Sequence, residues 1–210
     1  MRKLGIFVIG ALVAALMAQA AVAAPRTKPN ISFFSGSQSD AHWTPLESSD
    51  PNRMSIELEV GPIDSFGYAG FVLNRVEGTF PPEVEPGYWH KEDRASAATG
   101  GSPRLVLQFS DGSMYLRPDN WSTDWQEVGN DQDDGNWDVL NKPCATGTFD
   151  REYEEALACF AGQSLVSVFM VTDSNWMADK ADGYTNWIDQ LQYDGFEYSH
   201  ASDNNNSQAA

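Results

Sequence analysis

Basic side chains are scarce in this 210-residue chain: 13 lysines and arginines stand against 30 aspartates and glutamates, a formal charge of −17. Binding a polyanion needs a basic footprint, so the composition argues against nucleic acid as a partner, and the same repulsion disfavours anionic membrane surfaces. Cysteine is equally scarce, with Cys144 and Cys159 the only two. None of the three histidines, His42, His90 and His200, is near either one in sequence, which argues against a cysteine nucleophile. No Gly-x-Ser-x-Gly elbow, His-Glu-x-x-His pair or glycine-rich phosphate loop occurs. Beyond residue 24 no apolar run approaches the ~20 residues that a membrane-spanning helix needs.

The first 24 residues supply the one long apolar stretch. Met1-Arg2-Lys3 is basic, residues 4–17 are apolar, and small residues follow up to Ala24. This is the pattern of a secretory signal peptide, with Ala21-Val22-Ala23 fitting the small-x-small cleavage rule. Residues 1–23 are therefore expected to be removed. That leaves residues 24–199 as one domain and residues 200–210, with Asn204-Asn205-Asn206, as a tail too polar to fold. The mature chain does not begin with His, which excludes the copper-histidine-brace oxidases. Loss of Arg2 and Lys3 leaves 11 basic against 30 acidic side chains, a charge of −19. In an exported chain an even cysteine pair reads as a disulfide, here Cys144 to Cys159.

Alternation of apolar and polar residues marks the strands. It is clearest over 54–60, where Met54, Ile56, Leu58 and Val60 share one face and Ser55, Glu57 and Glu59 the other. Further strands are expected at 31–34, 68–76, 104–110, 113–117, 125–128, 136–139, 165–171 and 185–193, with Asp111-Gly112 supplying positive φ angles in a tight hairpin turn. One helix is expected over 149–161, capped by Thr148 or Asp150, with Tyr153, Ala156, Leu157 and Phe160 on its packed face and Gly162 as its stop. Residues 79–103 read as a long irregular loop. Many short strands and one accessory helix define an all-β class, a two-sheet antiparallel β-sandwich, with jelly roll as the specific architecture.

The closing strand pair carries a resemblance. The run Leu165-Val166-Ser167-Val168-Phe169-Met170-Val171, the later strand through Ile188-Asp189-Gln190, and the Asp194-Gly195 stop resemble the end of secreted jelly-roll carbohydrate-binding modules of the galactose-binding-like superfamily. The resemblance implies a polysaccharide or glycan surface as partner, a monomer, and an extracellular, periplasmic or cell-surface location. It also implies a structural calcium ion held at Asp189. Strand parity with Trp187, Leu191 and Tyr193 puts that carboxylate on the apolar face, where hydrogen bonds from backbone N–H groups, an arginine or a cation must satisfy it. The Asp-rich loops 130–135 and 179–183 fail the EF-hand spacing.

Seven tryptophans are many for a domain of this size. Sugar-binding proteins stack pyranose C–H groups on exposed indoles while neighbouring amides and carboxylates bind the hydroxyls. Trp89, Trp121 and Trp176 fall in expected loops, with Asp119, Asn120 and Asn175 close by, and these six are the candidate ligand residues. A non-catalytic, secreted carbohydrate-binding domain follows as the first reading, with no catalytic residue assigned. A polysaccharide-cleaving hydrolase or lyase on the same scaffold is an alternative, since two suitably spaced carboxylates suffice for a hydrolase. An envelope structural or interaction protein without a small ligand is another.

Overall fold

The computed structural model describes residues 27–46, 53–62, 67–93, 102–118, 122–129, 137–142, 144, 151–174 and 183–199. The expected signal peptide and tail, the helix caps Thr148 and Asp150 and most of the two Asp-rich loops lie outside these residues.

Two antiparallel sheets stack face to face. The first runs in the order β1 (Ile31–Ser35), β4 (Tyr68–Leu73), β10 (Ser167–Asp173), β6 (Arg104–Phe109), β7 (Gly112–Leu116), β9 (Trp137–Leu140). The second runs β2 (Asp40–Pro45), β3 (Met54–Val60), β11 (Tyr184–Tyr193), β5 (Gly87–Glu92), β8 (Gln126–Gly129), with β12 (Phe196–Tyr198) added to β11. This is the expected jelly-roll sandwich. Its core is the set of inward positions that period-two alternation selects: Ile56, Leu58 and Val60 from β3, Leu105, Leu107 and Phe109 from β6, and Val168 and Met170 from β10.

Buried tyrosines fasten the edges, because each must find a partner for its hydroxyl once it leaves water. Tyr88, Tyr153 and Tyr198 donate to the carbonyls of Pro103, Pro82 and Pro29 at 2.8, 2.7 and 3.0 Å. Burial pushes the Tyr88 hydroxyl pKa well above its ordinary value, while Arg117 works the other way.

The helix α1 (Tyr153–Ala158) is shorter than expected, starting four residues later behind Glu152, which makes no side-chain cap. Its packed face is the expected one. Tyr153 lies 5.1 Å from Trp137 and Phe160, just beyond the helix, stacks on Phe109 at 4.1 Å. Cys144 and Cys159 form a disulfide that ties the end of α1 to the preceding segment.

Several expectations need correction. Residues 79–103 are not a loop throughout, for β5 lies inside them and brings Trp89 into a strand. Asp111-Gly112 has no positive φ: the turn residues are Ser110 and Asp111, and Gly112 begins β7 opposite Phe109. Gly112 is required there for space, since a Cβ would come 2.6 Å from the Leu140 carbonyl oxygen. The positive-φ pair is Asp194-Gly195, at 53° and 79°. It does not end the domain but turns β11 back into β12, which pairs with it from Leu191 to Tyr193.

Candidate functional site

The outward face of the second sheet gathers the unusual side chains. In β5 the even positions Tyr88, His90 and Glu92 are buried, so Trp89 and Lys91 point outward. In β3 the outward residues are Ser55, Glu57 and Glu59, and in β2 they include Asp40, His42 and Thr44. Register places Trp187 of β11 between Glu57 and Lys91, and Asp189 beside Trp89, whose other neighbour is Glu127.

Asp189 shares this face with Trp187, and β11 changes parity just after it. Up to Ile188 the even residues are buried, and from Leu191 the odd ones are. The switch is a bulge, with pairing to β5 interrupted between Asp189 and Gln192 and Gln190 held at φ 46°. Asp189 therefore does not share a face with Leu191 and Tyr193, as uninterrupted alternation implied. It stays with Trp187 on the outer side, in a depression of about 310 Å³ lined by Leu46, Arg53, Trp89, Trp125, Asp189 and Gln190.

The Asp189 carboxylate is nevertheless only 2% exposed. Arg53 Nε and Nη2 donate to its Oδ2 at 3.1 and 2.5 Å, and the Gln190 backbone N–H donates to Oδ1 at 2.8 Å. Charge-assisted bonds of this kind offset the cost of burying the carboxylate. Oxygens placed in this way suit a guanidinium, whereas a calcium ion wants several anionic or carbonyl oxygens directed at one point. Among the described residues no three His, Cys, Asp or Glu side chains gather into a metal-binding group.

Lys91 supplies a second positive group. Its ammonium lies 4.8 Å from the centroid of the Trp187 ring and 5.4 Å from that of Trp125, a double cation–π contact across the middle of the face. Arg53 keeps about a third of its side-chain surface exposed, and its Nη1 end makes no bond to Asp189.

At the β2 edge of the same face His42 Nδ1 lies 3.1 Å from Asp40, and its Nε2 lies 4.0 Å from Glu57. Desolvation raises the Glu59 carboxyl above its ordinary 4.5, and a hydrogen bond to Glu57 and repulsion from that residue push the same way. His42 opposes the shift and Asp40 adds to it. A second depression, of about 400 Å³, opens beside Glu59, Asp93 and Thr185.

Of the sequence candidates, Trp89 and Asp189 come together in the site. Trp121, Trp176, Asp119, Asn120 and Asn175 lie outside the described residues. Trp125, Trp187, Lys91, Arg53 and Gln190 were not singled out as ligand residues. The alternation of Trp89 with Lys91 would have shown them on one face had β5 been read as a strand. Trp43 and Trp137 serve packing: Trp43 meets Phe33 edge-on at 6.2 Å, and the fully buried Trp137 donates from Nε1 to Glu85 at 2.6 Å.

Fold and face together define a jelly-roll sandwich with an aromatic and polar platform on one sheet. No protein-family profile matches the chain, and no curated protein aligns with it. Among solved structures it is similar to the family 11 carbohydrate-binding module of the cellulosomal cellulase Lic26A-Cel5E of Clostridium thermocellum. That pair has a TM-score of 0.40 and 12% identity, over 77% of this chain and 85% of that one. The Clostridium thermocellum family 11 module in complex with a β-1,3-1,4-mixed-linked tetrasaccharide gives a TM-score of 0.38 and 10% identity, over 77% and 86% of the two chains.

Proposed function

We propose that this protein is a secreted, non-catalytic carbohydrate-binding domain whose ligand lies on the outer face of the second sheet. The observation that carries the reading is the depression where the indoles of Trp89 and Trp125 stand beside the Arg53–Asp189 pair and Gln190. Apolar rings flanked by a few oriented polar groups are what a sugar demands, since each pyranose presents C–H faces and a rim of hydroxyls. A volume of about 310 Å³ lies at the small end of the range for ligand sites, and the site continues over Trp187 and Lys91 as an open platform. The acidic balance of the chain fits an exported protein and keeps nucleic acid away.

A glycan array probed with the mature domain, with and without a calcium chelator, tests this reading. Binding to a defined set of polysaccharides without release of new reducing ends, lost in Trp89→Ala and Trp125→Ala, supports it. Uniform silence across the array, or binding indifferent to both substitutions, refutes it. The chelator arm addresses the calcium that the closing strands imply. Binding that collapses on chelation in the wild type but no longer depends on calcium in Asp189→Asn would return the ion to Asp189 in place of the guanidinium.

A further inference from the structure

One cation of this face is held differently from those that meet aspartates. Four cations of the described chain, Arg53, Arg104, Arg117 and Lys142, lie against aspartates, as an excess of acid would lead one to expect. Lys91 does not. Among the described residues no carboxylate pairs with it, although Glu57 is one strand beyond Trp187 and Glu127 is the register partner of Trp89. Its three N–H donors are held between two indole rings, and among the described residues no acceptor is bonded to them.

The neighbouring depression holds a cation already paired with its carboxylate. Asp189 there is already neutralised by Arg53, whose remaining nitrogen stays outside the pair. Between Trp187 and Trp89 the Arg53–Asp189 pair is neutral, and Lys91 is left as a cation held against two indoles on a face whose flanking carboxylates are Glu57 and Glu127. A fixed ammonium flanked by stacking surfaces is matched by a sugar ring that bears an anionic group: the ring covers an indole and the anion meets the cation.

We infer that the ligand of this site is an acidic glycan, one whose sugars carry a carboxylate or sulfate, and that Lys91 is the residue that reads the charge. The inference rests on the carbohydrate-binding reading above and narrows it to a substrate class. The negative charge of the whole domain repels any such polymer at long range, but salt screens that repulsion within about 8 Å at physiological ionic strength. The sign of the preference is therefore diagnostic, because only a local contact can favour the charged form.

The test is calorimetric titration of the mature domain with oligogalacturonides of one chain length, as free acid and as methyl ester, and with a sulfated galactan oligosaccharide and its desulfated form. The charged member of at least one pair should bind about tenfold more tightly than its neutral counterpart, the scale of one hydrogen bond to a charged group. Lys91→Gln should erase that ratio, Lys91→Arg should preserve it, and added salt should reduce it. The pair that shows the effect identifies carboxylate or sulfate as the source. Unchanged melting temperatures in both variants would establish that the sandwich is intact. Equal binding of charged and neutral forms, or a ratio that survives Lys91→Gln, overturns the inference. Binding of neutral oligosaccharides alone overturns it and leaves the carbohydrate-binding reading in place, whereas silence toward every glycan removes both.

Discussion

Arg53 and Asp189, 136 residues apart in sequence, meet at 2.5 Å on the outer face of the second sheet. The pair joins the start of β3 to the bulge of β11 and so fixes one wall of the candidate site. Removing one partner of a buried ion pair leaves an uncompensated charge, which costs about 3–5 kcal/mol in a dry interior. Arg53 is 34% exposed, so water softens the penalty. Arg53→Met should lower the unfolding free energy by about 2 kcal/mol in urea titration. Adding Asp189→Leu to that variant should recover part of the loss, since no charge is then stranded. A loss below about 0.5 kcal/mol in the single variant would mean that the pair orients groups without stabilising the sheet.

The indoles separate binding from folding. Trp89 and Trp125 are half-buried on the outer face, and Trp137 is fully buried between the sheets. Trp89→Ala or Trp125→Ala should weaken glycan binding by tenfold or more, the scale of an aromatic anchor, with only a small change in melting temperature. Trp137→Ala should cost about 3–5 kcal/mol of stability through the cavity it leaves, and it also takes from Glu85 the donor at 2.6 Å. Paired isothermal titration and thermal melts distinguish the two cases. A large stability loss at Trp89 with unchanged binding would assign that ring to packing.

The sandwich could be read from the chain wherever one strand face is apolar and the other polar, as in β3, β6 and β7. β5 escaped because two of its inward residues, His90 and Glu92, are themselves polar, so Tyr88-Trp89-His90-Lys91-Glu92 shows no alternation at all. β2 differs: its outward Asp40, His42 and Thr44 do alternate with Ala41 and Trp43, but only these two apolar side chains precede Pro45, too short a run to stand out. The bulge carried no signal either, because glutamine has no special affinity for the positive φ that Gln190 adopts. The site lies where the concealed strand β5 meets the concealed bulge, which is why Asp189 and Trp89 could each be suspected while their juxtaposition could not. Lys91 gained its meaning only from the two rings on either side of it.

The disulfide bears on the accessory helix. Cys144 and Cys159 are 15 positions apart, and a closed loop of that size restricts the unfolded chain by about 3 kcal/mol on the entropic account. Arg151 reinforces the same corner by donating to the Cys144 carbonyl. The double variant Cys144→Ala/Cys159→Ala should unfold at lower urea by roughly that amount while keeping its affinity for glycan, because α1 packs on β9 and the indole platform lies on the other sheet. Binding lost in step with the melting temperature would couple the helix to the site.

The acidic edge of the platform gives a pH signature whose sign follows from Glu59. Its carboxyl is raised above 4.5, first by desolvation and then by the hydrogen bond and repulsion of Glu57. The folded state thus holds this proton more firmly than the unfolded chain does. The associated stability is fully present below the unfolded pKa and is lost as pH rises through the folded one. Glu59→Gln should therefore match the wild type near pH 4 and become the more stable protein as pH rises toward neutrality. Salt should shrink the part of the gap that comes from Glu57 and leave the desolvation part. His42, 3.1 Å from Asp40 and 4.0 Å from Glu57, opposes the upward shift of Glu59. In a His42→Gln background the Glu59→Gln gap should accordingly widen. Chemical denaturation of the four proteins between pH 4 and neutrality measures both effects, and a gap that is constant with pH would show that Glu59 titrates as an ordinary surface carboxylate.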